Sequence, residues 1–175
     1  MSRWFWLLLA VTLVVYLLIV LWSLPIIQAE ADGLVPFDLR AGGYTVADAQ
    51  TFLRALTPEG LAQYEGPQRW LDWVFPLLLV GVLAWTVWHL TQETPEWVRL
   101  VLWLLIGVGA SFDYLENLHV AQMLAVGAEG VTTALVEAAS RASSQKALTT
   151  TVAVFGILGL LIRRWREKRR GRSQP

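Results

Sequence analysis

Four long runs of apolar residues, each comparable in length to the thickness of a membrane, constrain this chain more than any other feature. The runs cover residues 4–24, 70–90, 97–125 and 146–162. A helix of about 20 residues, which rises about 1.5 Å per residue, crosses the hydrocarbon core of a bilayer. The pattern therefore predicts an all-α integral membrane protein, a four-transmembrane-helix bundle in which residues 1–175 form a single membrane domain.

The first apolar run has two interpretations. It follows Met1-Ser2-Arg3 and precedes Ala29-Glu30-Ala31, and together these flanks resemble those of a cleaved signal peptide. The apolar part of a signal peptide usually covers about 7–15 residues, whereas this run covers about 21 and carries tryptophans near both ends. A retained membrane anchor is therefore predicted, with a cleaved signal as the alternative.

A more polar segment, residues 25–69, separates the first two spans and contains two helix-start signals. Thr45 with Asp48 three residues later has the pattern of a capping box, and Thr57-Pro58-Glu59 places proline and an acid in a first helical turn. We predict a short helical cap between spans 1 and 2. Residues 126–145 are rich in small and polar residues, and they are predicted to form a loop on the same side, in which residues 132–142 have the pattern of a short amphipathic helix.

Composition excludes several classes of chemistry. The chain is 55% hydrophobic and only 16% charged, whereas roughly 25% of the residues in a soluble domain are charged. It contains no cysteine, which excludes disulfides, thiolate metal sites and thiol redox chemistry. The sequence also lacks a phosphate-binding glycine loop, a nucleophile elbow and a zinc-protease motif. No cofactor is predicted.

The orientation follows from the basic tail at residues 163–175. Positive charge next to a span resists translocation, so the C-terminus is predicted to be cytoplasmic. Four spans then place the N-terminus on the same side and residues 25–69 outside the cytoplasm. The expected location is the plasma (bacterial inner) membrane, with membrane lipids as partners. The basic tail is explained by topology, and no nucleic-acid partner is predicted.

An unusual group of polar residues lies within the third apolar run: Asp113, Glu116, Asn117 and His119. Ionisable residues are costly inside a membrane and by default mark functional sites. At about 100° per residue, Glu116 and Asn117 flank Asp113 on one helix face, with His119 at its edge. Asp113 lies about 24 Å along the helix from its inner end, which puts the group in the outer half of the membrane.

Neighbouring spans add polar residues at the same level. Arg69 and Asp72 lie at the start of the second span, and Ser144 and Lys146 at the start of the fourth. The sequence therefore predicts an outer-leaflet polar pocket beneath the cap. Carboxylates one helical turn apart repel each other unless a proton or a cation lies between them, and Lys146 and Arg69 are the expected cations.

A metal site is not predicted. Glu116 and His119 have the i, i+3 spacing that di-iron four-helix proteins use. Such sites need a second pair of this kind, and the other histidine, His89, is predicted at the opposite membrane face.

Three functions fit this pocket. The leading hypothesis is a binding or accessory protein for a lipid-like ligand or a membrane-protein partner, because apolar walls with a few convergent polar groups are typical of binding sites. The first alternative is an intramembrane acid–base enzyme, a hydrolase or an isomerase, that uses Asp113, Glu116 and Asp72 as paired carboxylates. The second is a purely structural ion-pair network. The residues predicted to line the pocket or form this network are Asp113, Glu116, Asn117, His119, Arg69, Asp72, Lys146 and Ser144.

Overall fold

The computed structural model describes residues 2–172, and the chain is 86% helical. Four helices are long and apolar enough to cross a membrane, which confirms the prediction of an all-α chain with four candidate spans. No strand occurs in the described part of the chain. The helices, in chain order, are α1 (Arg3–Ala29), α2 (Val46–Ala55), α3 (Pro58–Leu90), α4 (Glu96–Gly130) and α5 (Thr133–Arg172), and a 3₁₀ turn lies at Phe37–Leu39.

The first candidate span is longer than predicted, because α1 ends only at Ala29. A π turn at Ile19–Ser23 joins its two α-helical segments, Arg3–Leu18 and Leu24–Ala29. Pro25 lies just after this π turn, so its missing N–H falls where α-helical hydrogen bonding is already interrupted. α1 thus extends into the segment that was predicted to belong to the cap.

The second candidate span begins earlier than predicted, because α3 starts at Pro58. Its segments Pro58–Gln63 and Arg69–Leu90 are joined by another π turn, Tyr64–Gln68, which contains Pro67. Proline cannot donate the hydrogen bond of a regular α-helix, and here it lies where α-helical hydrogen bonding is already interrupted. The predicted second helix of the cap is therefore the first part of α3.

Most of segment 126–145 is helical, so the predicted short helix at residues 132–142 is part of a long helix and little of the predicted loop remains. A two-residue connection separates α4 from α5, and Gly127 interrupts the end of α4 with a positive φ of 68° that favours glycine. The start of α5 is rich in alanine, a strong helix former. Its Val136 and Ala139 are fully buried in the core beneath the cap. The apolar side of this segment thus supports a helix where its polar composition indicated a loop.

The start of α1 and the end of α5 lie at one end of the bundle. Phe5 packs edge-on against Trp85 of α3, with ring centroids 5.9 Å apart. Arg164 donates a hydrogen bond to the backbone carbonyl of His89 at 2.7 Å. α5 continues through most of the predicted basic tail, residues 163–175, whose last three residues lie outside the described part of the chain. We call this the terminal end of the bundle.

Each long helix packs on the next long helix in sequence, and the contact between α4 and α5 is the most extensive. Gly109 makes this contact close, since a Cβ added there would lie 3.1 Å from the hydroxyl oxygens of both Thr149 and Thr150. α1 and α5 are the first and the last of the four long helices, and they do not pack extensively against each other. One side of the bundle is consequently open between α1 and α5.

Residues 30–57 form an ordered cap over the other end of the bundle. Phe37 of the 3₁₀ turn and Phe52 of α2 are fully buried, and α2 packs on α4 and α5. The backbone N–H of Tyr44 donates to the hydroxyl of Ser140 on α5 at 2.9 Å. The cap is therefore fixed to the long helices by both apolar packing and hydrogen bonding.

Buried apolar side chains form two separate clusters. The terminal-side core consists of Val87, Leu102, Ile106, Ala153 and Ile157. The cap-side core joins the cap to the adjacent ends of the long helices and consists of Ile19, Leu24, Ile27, Ala31, Phe37, Ala49, Phe52, Tyr64, Val120, Met123, Leu124, Val131, Val136 and Ala139.

Candidate functional site

A layer of polar side chains separates the two apolar cores. On α4, Asp113 and Glu116 lie along the chain between Ile106 of the terminal-side core and Val120 of the cap-side core. Residues from α3 and α5 join them through hydrogen bonds and ion pairs, or line a common cavity with them. These residues are Gln68, Asp72, Ser143 and Lys146.

Glu116 is the most enclosed carboxylate of the polar layer. Its side chain is completely buried. The Lys146 ammonium and the Ser143 hydroxyl both donate hydrogen bonds to its carboxylate. A buried carboxylate needs a cation and hydrogen-bond donors to offset lost hydration, and α5 supplies both.

Ser143, rather than the predicted Ser144, reaches the carboxylate. The Ser144 hydroxyl instead donates to the backbone carbonyl of Ser140 at 3.1 Å. Ser143 and Lys146 are three residues apart and share a helix face, whereas Ser144 points away from that face. Helical spacing relative to Lys146 was therefore the signal that could have identified Ser143 from the sequence.

Lys146 also approaches Asp113, with Nζ 3.4 Å from Oδ1. Asp113 and Lys146 retain 17% and 23% side-chain exposure, whereas Glu116 retains 1%. The lysine thus bridges one enclosed carboxylate and one that remains accessible.

Asp72 contributes the α3 side of the layer. Gln68 Nε2 donates to Asp72 Oδ1 at 2.8 Å, and the Asn117 side chain donates to the backbone carbonyl of Asp72 at 3.0 Å. Gln68 is completely buried, and its amide oxygen has no hydrogen-bond partner in the described part of the chain. Asn117 therefore holds α3 to α4, while Asp72 keeps a neutral partner.

Asp38, which belongs to the cap, is a member of the layer that sequence analysis missed. The hydroxyl of Tyr64 donates a hydrogen bond to its carboxylate. Asp38 lines a small cavity together with Arg69, Asp72 and Asn117. It lies outside every apolar run, so no cost of membrane burial singled it out in the sequence. Only the folding of the cap onto the bundle brings it here.

Two of the predicted residues play smaller parts. Arg69 lines the small cavity but forms no ion pair within residues 2–172. His119 lies outside the layer, where its Nδ1 is 3.3 Å from the side-chain oxygen of Gln122. Within the described residues, no group of three or more His, Asp or Glu side chains is arranged to hold a metal ion.

The accessible part of the layer opens into a cavity of about 320 Å³ between α1 and α5. The charged groups that line it, among the described residues, are the carboxylates of Asp38, Asp72 and Asp113 and the ammonium of Lys146. Glu116 is not part of its wall. The remaining lining residues are Tyr16, Ile19, Val20, Leu24, Leu39, Phe75, Leu79, Ala147, Thr150 and Thr151.

The pKa of Tyr44, a residue of the cap, responds to the negative charges of the polar layer. Burial, together with the negative charges of Glu116 and Asp38, raises the pKa of Tyr44 well above its ordinary value of 10.0. Its hydroxyl lies near Ser143, but no hydrogen bond of acceptable geometry satisfies it within the described residues. The phenol is therefore neutral at physiological pH and available only as an uncharged donor or acceptor.

The polar layer thus has two parts with different chemical capacities. Glu116, Ser143 and Lys146 form an enclosed network that joins α4 to α5. Asp38, Asp72 and Asp113 face a space large enough for part of a ligand. The first part suits a structural role, and the second suits recognition of a molecule with a polar end and an apolar body.

Comparison with known protein families, curated proteins and solved structures finds no match to this chain. Function therefore has to be inferred from the geometry and chemistry of the site.

Proposed function

We propose that this chain is a multi-pass protein of the plasma (bacterial inner) membrane that binds an amphipathic, lipid-like molecule in the cavity between α1 and α5. The single observation that carries the proposal is this cavity of about 320 Å³, which joins apolar walls to a polar wall. Small-molecule sites commonly combine mostly apolar linings with a few convergent polar groups.

The open side of the bundle supports entry from the membrane. Tyr16, Ile19 and Val20 of α1 line one wall, and Ala147 and Thr151 of α5 contribute to another. Because α1 and α5 do not pack extensively together, a lipid-like molecule can move sideways into the cavity. Its apolar chain then replaces bilayer lipid as the neighbour of these walls.

The basic residues that follow the apolar part of α5 support a cytoplasmic terminal end and an extracytoplasmic cap. In that orientation, Asp72 and Asp113 lie in the outer half of the membrane beneath the cap. The amphiphile then places its polar end near Asp72 and Asp113, and its chain toward the membrane interior.

An intramembrane acid–base enzyme is a second candidate function, and one observation favours it. Asp72 and Asp113 line the same cavity from different helices, so both carboxylates can reach one substrate. Glu116, which is outside the wall and enclosed by α5, then positions Lys146 and does not contact the substrate. The purely structural interpretation applies best to this Glu116 network.

Photochemical labelling tests the proposed binding site. A C12 alcohol with a diazirine on its chain is incorporated with the protein into phosphatidylcholine nanodiscs, and labelled residues are located by mass spectrometry. We expect labels on the cavity walls formed by α1 and α5. Ala147→Leu fills part of the cavity and should abolish labelling there, whereas Ala134→Leu, at an exposed position of the same helix, should not.

Equal labelling of the wild type and Ala147→Leu at these walls would refute the binding proposal. Co-purification of another membrane protein that Ala147→Leu releases would instead identify a protein partner as the occupant. Turnover of an added lipid that requires both Asp72 and Asp113 would favour the enzyme.

A further inference from the structure

We infer that the amphiphile held between α1 and α5 carries a cationic ammonium group at its polar end. This inference rests on the proposed function and specifies the chemical class of the ligand. Its basis is the distribution of charges and aromatic rings over the cavity wall.

The wall has an excess of negative groups. Asp38, Asp72 and Asp113 contribute carboxylates, and among the described residues of this lining only Lys146 is basic. The three carboxylates come from the cap, α3 and α4, so the excess is not the exposed face of a single helix.

The positive charge of Lys146 is already compensated by carboxylates of the protein. Its ammonium is paired with the buried Glu116, which is outside the wall, and it also approaches Asp113. Moving Lys146 toward an anionic ligand would leave Glu116 as an uncompensated buried charge, which is strongly unfavourable. Lys146 is therefore a poor site for a phosphate or carboxylate head group.

Asp38 and Asp72 have only neutral hydrogen-bond donors. Tyr64 donates to Asp38, and Gln68 donates to Asp72. Neither carboxylate forms an ion pair within residues 2–172. Arg69 lines the small cavity beside these two carboxylates but forms no ion pair with either, so an ammonium group in the larger cavity would be their first ion-pair partner among the described residues.

Aromatic rings in the same wall suit a cation as well. Tyr16 of α1 and Phe75 of α3 both line the cavity, with ring centroids 5.9 Å apart. The faces of aromatic rings attract ammonium groups, and this attraction grows when the cation is removed from water. The carboxylates and the aromatic rings of the wall thus both favour a positively charged group on the ligand.

Competition between three C12 molecules tests the inference. Dodecylammonium, dodecanol and dodecanoate share one chain and differ in head-group charge, and each competes with the diazirine alcohol in phosphatidylcholine nanodiscs. We expect dodecylammonium to compete about tenfold more strongly than dodecanol, because hydrogen bonds to charged groups are stronger than neutral ones. Dodecanoate should be the weakest competitor.

Charge-neutralising variants locate the preference. Asp72→Asn should remove most of the dodecylammonium advantage over dodecanol. Asp38→Asn provides an independent measurement should Asp72→Asn fail to fold. Glu65→Gln is the matched control, because it removes the same charge from an exposed position of α3 outside the wall, and it should retain the full advantage.

The outcomes separate this inference from the proposed function. Dodecanoate could compete at least as strongly as dodecylammonium at the walls where Ala147→Leu abolishes labelling. In that case the site exists and the cationic assignment is wrong. The assignment is also wrong if Asp72→Asn and Asp38→Asn both retain the ammonium advantage. If no C12 molecule competes at these walls, the proposed function and this inference both fail.

Discussion

Lys146 of α5 forms an ion pair with Glu116 of α4, and Glu116 is completely buried between the two apolar cores. The Ser143 hydroxyl donates to the same carboxylate. This network joins the two helices that share the most extensive contact in the bundle. Removing one member of a buried pair is costly because it leaves the other charge without compensation.

The first prediction concerns this pair. Lys146→Met should lower the free energy of unfolding by about 3–5 kcal/mol, the usual cost of breaking a buried ion pair. Adding Glu116→Gln removes the stranded charge and should restore much of the loss. Unfolding by sodium dodecyl sulfate, followed by tryptophan fluorescence, measures both variants.

An exposed ion pair provides the control for Lys146→Met. Arg54 of α2 lies 2.9 Å from Glu129 of α4, and both side chains are more than half exposed. Arg54→Gln should therefore change stability by only a small fraction of the Lys146→Met effect. A double variant as unstable as Lys146→Met alone would show that the ion pair does not explain the loss.

The second prediction concerns the attachment of the cap at Gly43. Gly43 has a φ of 84°, and a Cβ added there would lie 2.7 Å from the Ser140 hydroxyl oxygen. Gly43→Ala should destabilise the cap by at least the roughly 1–2 kcal/mol that a left-handed conformation costs a non-glycine residue. It should also weaken the hydrogen bond from Tyr44 to Ser140. Hydrogen exchange of residues 37–56 measures the loss of protection.

The adjacent glycine offers a matched control for this substitution. A Cβ on Gly42 would meet no atom within 4 Å, and its φ is outside the left-handed region. Gly42→Ala should leave exchange in the cap unchanged. Equal effects of the two substitutions would contradict the proposed role of Gly43.

The third prediction concerns the pH dependence of α2. Thr45 and Asp48 form a capping box at its start, and the side-chain hydrogen bond from Thr45 lowers the pKa of Asp48 below its ordinary value of 3.8. A lowered folded-state pKa means that this contribution is fully present above the ordinary value and is lost as pH falls through the lowered one. Exchange protection of the first turn of α2 should therefore decrease only below about pH 4.

Asp48→Asn tests the origin of this dependence. Asparagine can still accept the hydrogen bonds at the helix start but cannot titrate. The variant should show the same protection above pH 4 and a weaker decrease below it. An identical decrease in both proteins would mean that another group controls the first turn.

The fourth prediction concerns sidedness, and the absence of native cysteine makes it direct to test. Gly42→Cys in the cap should react with a membrane-impermeant maleimide in intact cells. Gln92→Cys, in the exposed connection between α3 and α4, should react only after permeabilisation. The reverse pattern would contradict the proposed orientation.

Much of the fold was predictable because it depends on local sequence. Length and apolar content identified the four candidate spans, and the Thr45–Asp48 pattern identified the start of α2. The continuity of α1 past Pro25 and of α3 past Pro67 was not predictable in the same way, because proline usually interrupts a helix. One π turn lies just before Pro25 and another contains Pro67, and both helices continue through them.

The candidate site, like the fold, was predictable only in part. Helical spacing and depth indicated that Asp113, Glu116 and Lys146 come together, and the structure places Lys146 in contact with both carboxylates. Spacing along α5 favoured Ser143 over Ser144 once Lys146 was included in the site, because residues three apart share a helix face. Asp38 offered no local signal at all, because only the packing of the cap brings it to the bundle.

Local sequence accounts for the long elements of this protein, which are four apolar helices with ionisable residues at defined positions along them. Apolar length and helical periodicity are local properties, so they can be read without the fold. Tertiary packing, in contrast, is what encloses Glu116 with Lys146 and places Asp72 and Asp113 at a cavity with Asp38. Burial and pairing depend on how distant segments pack, and the gap between α1 and α5 exists only after the bundle has formed.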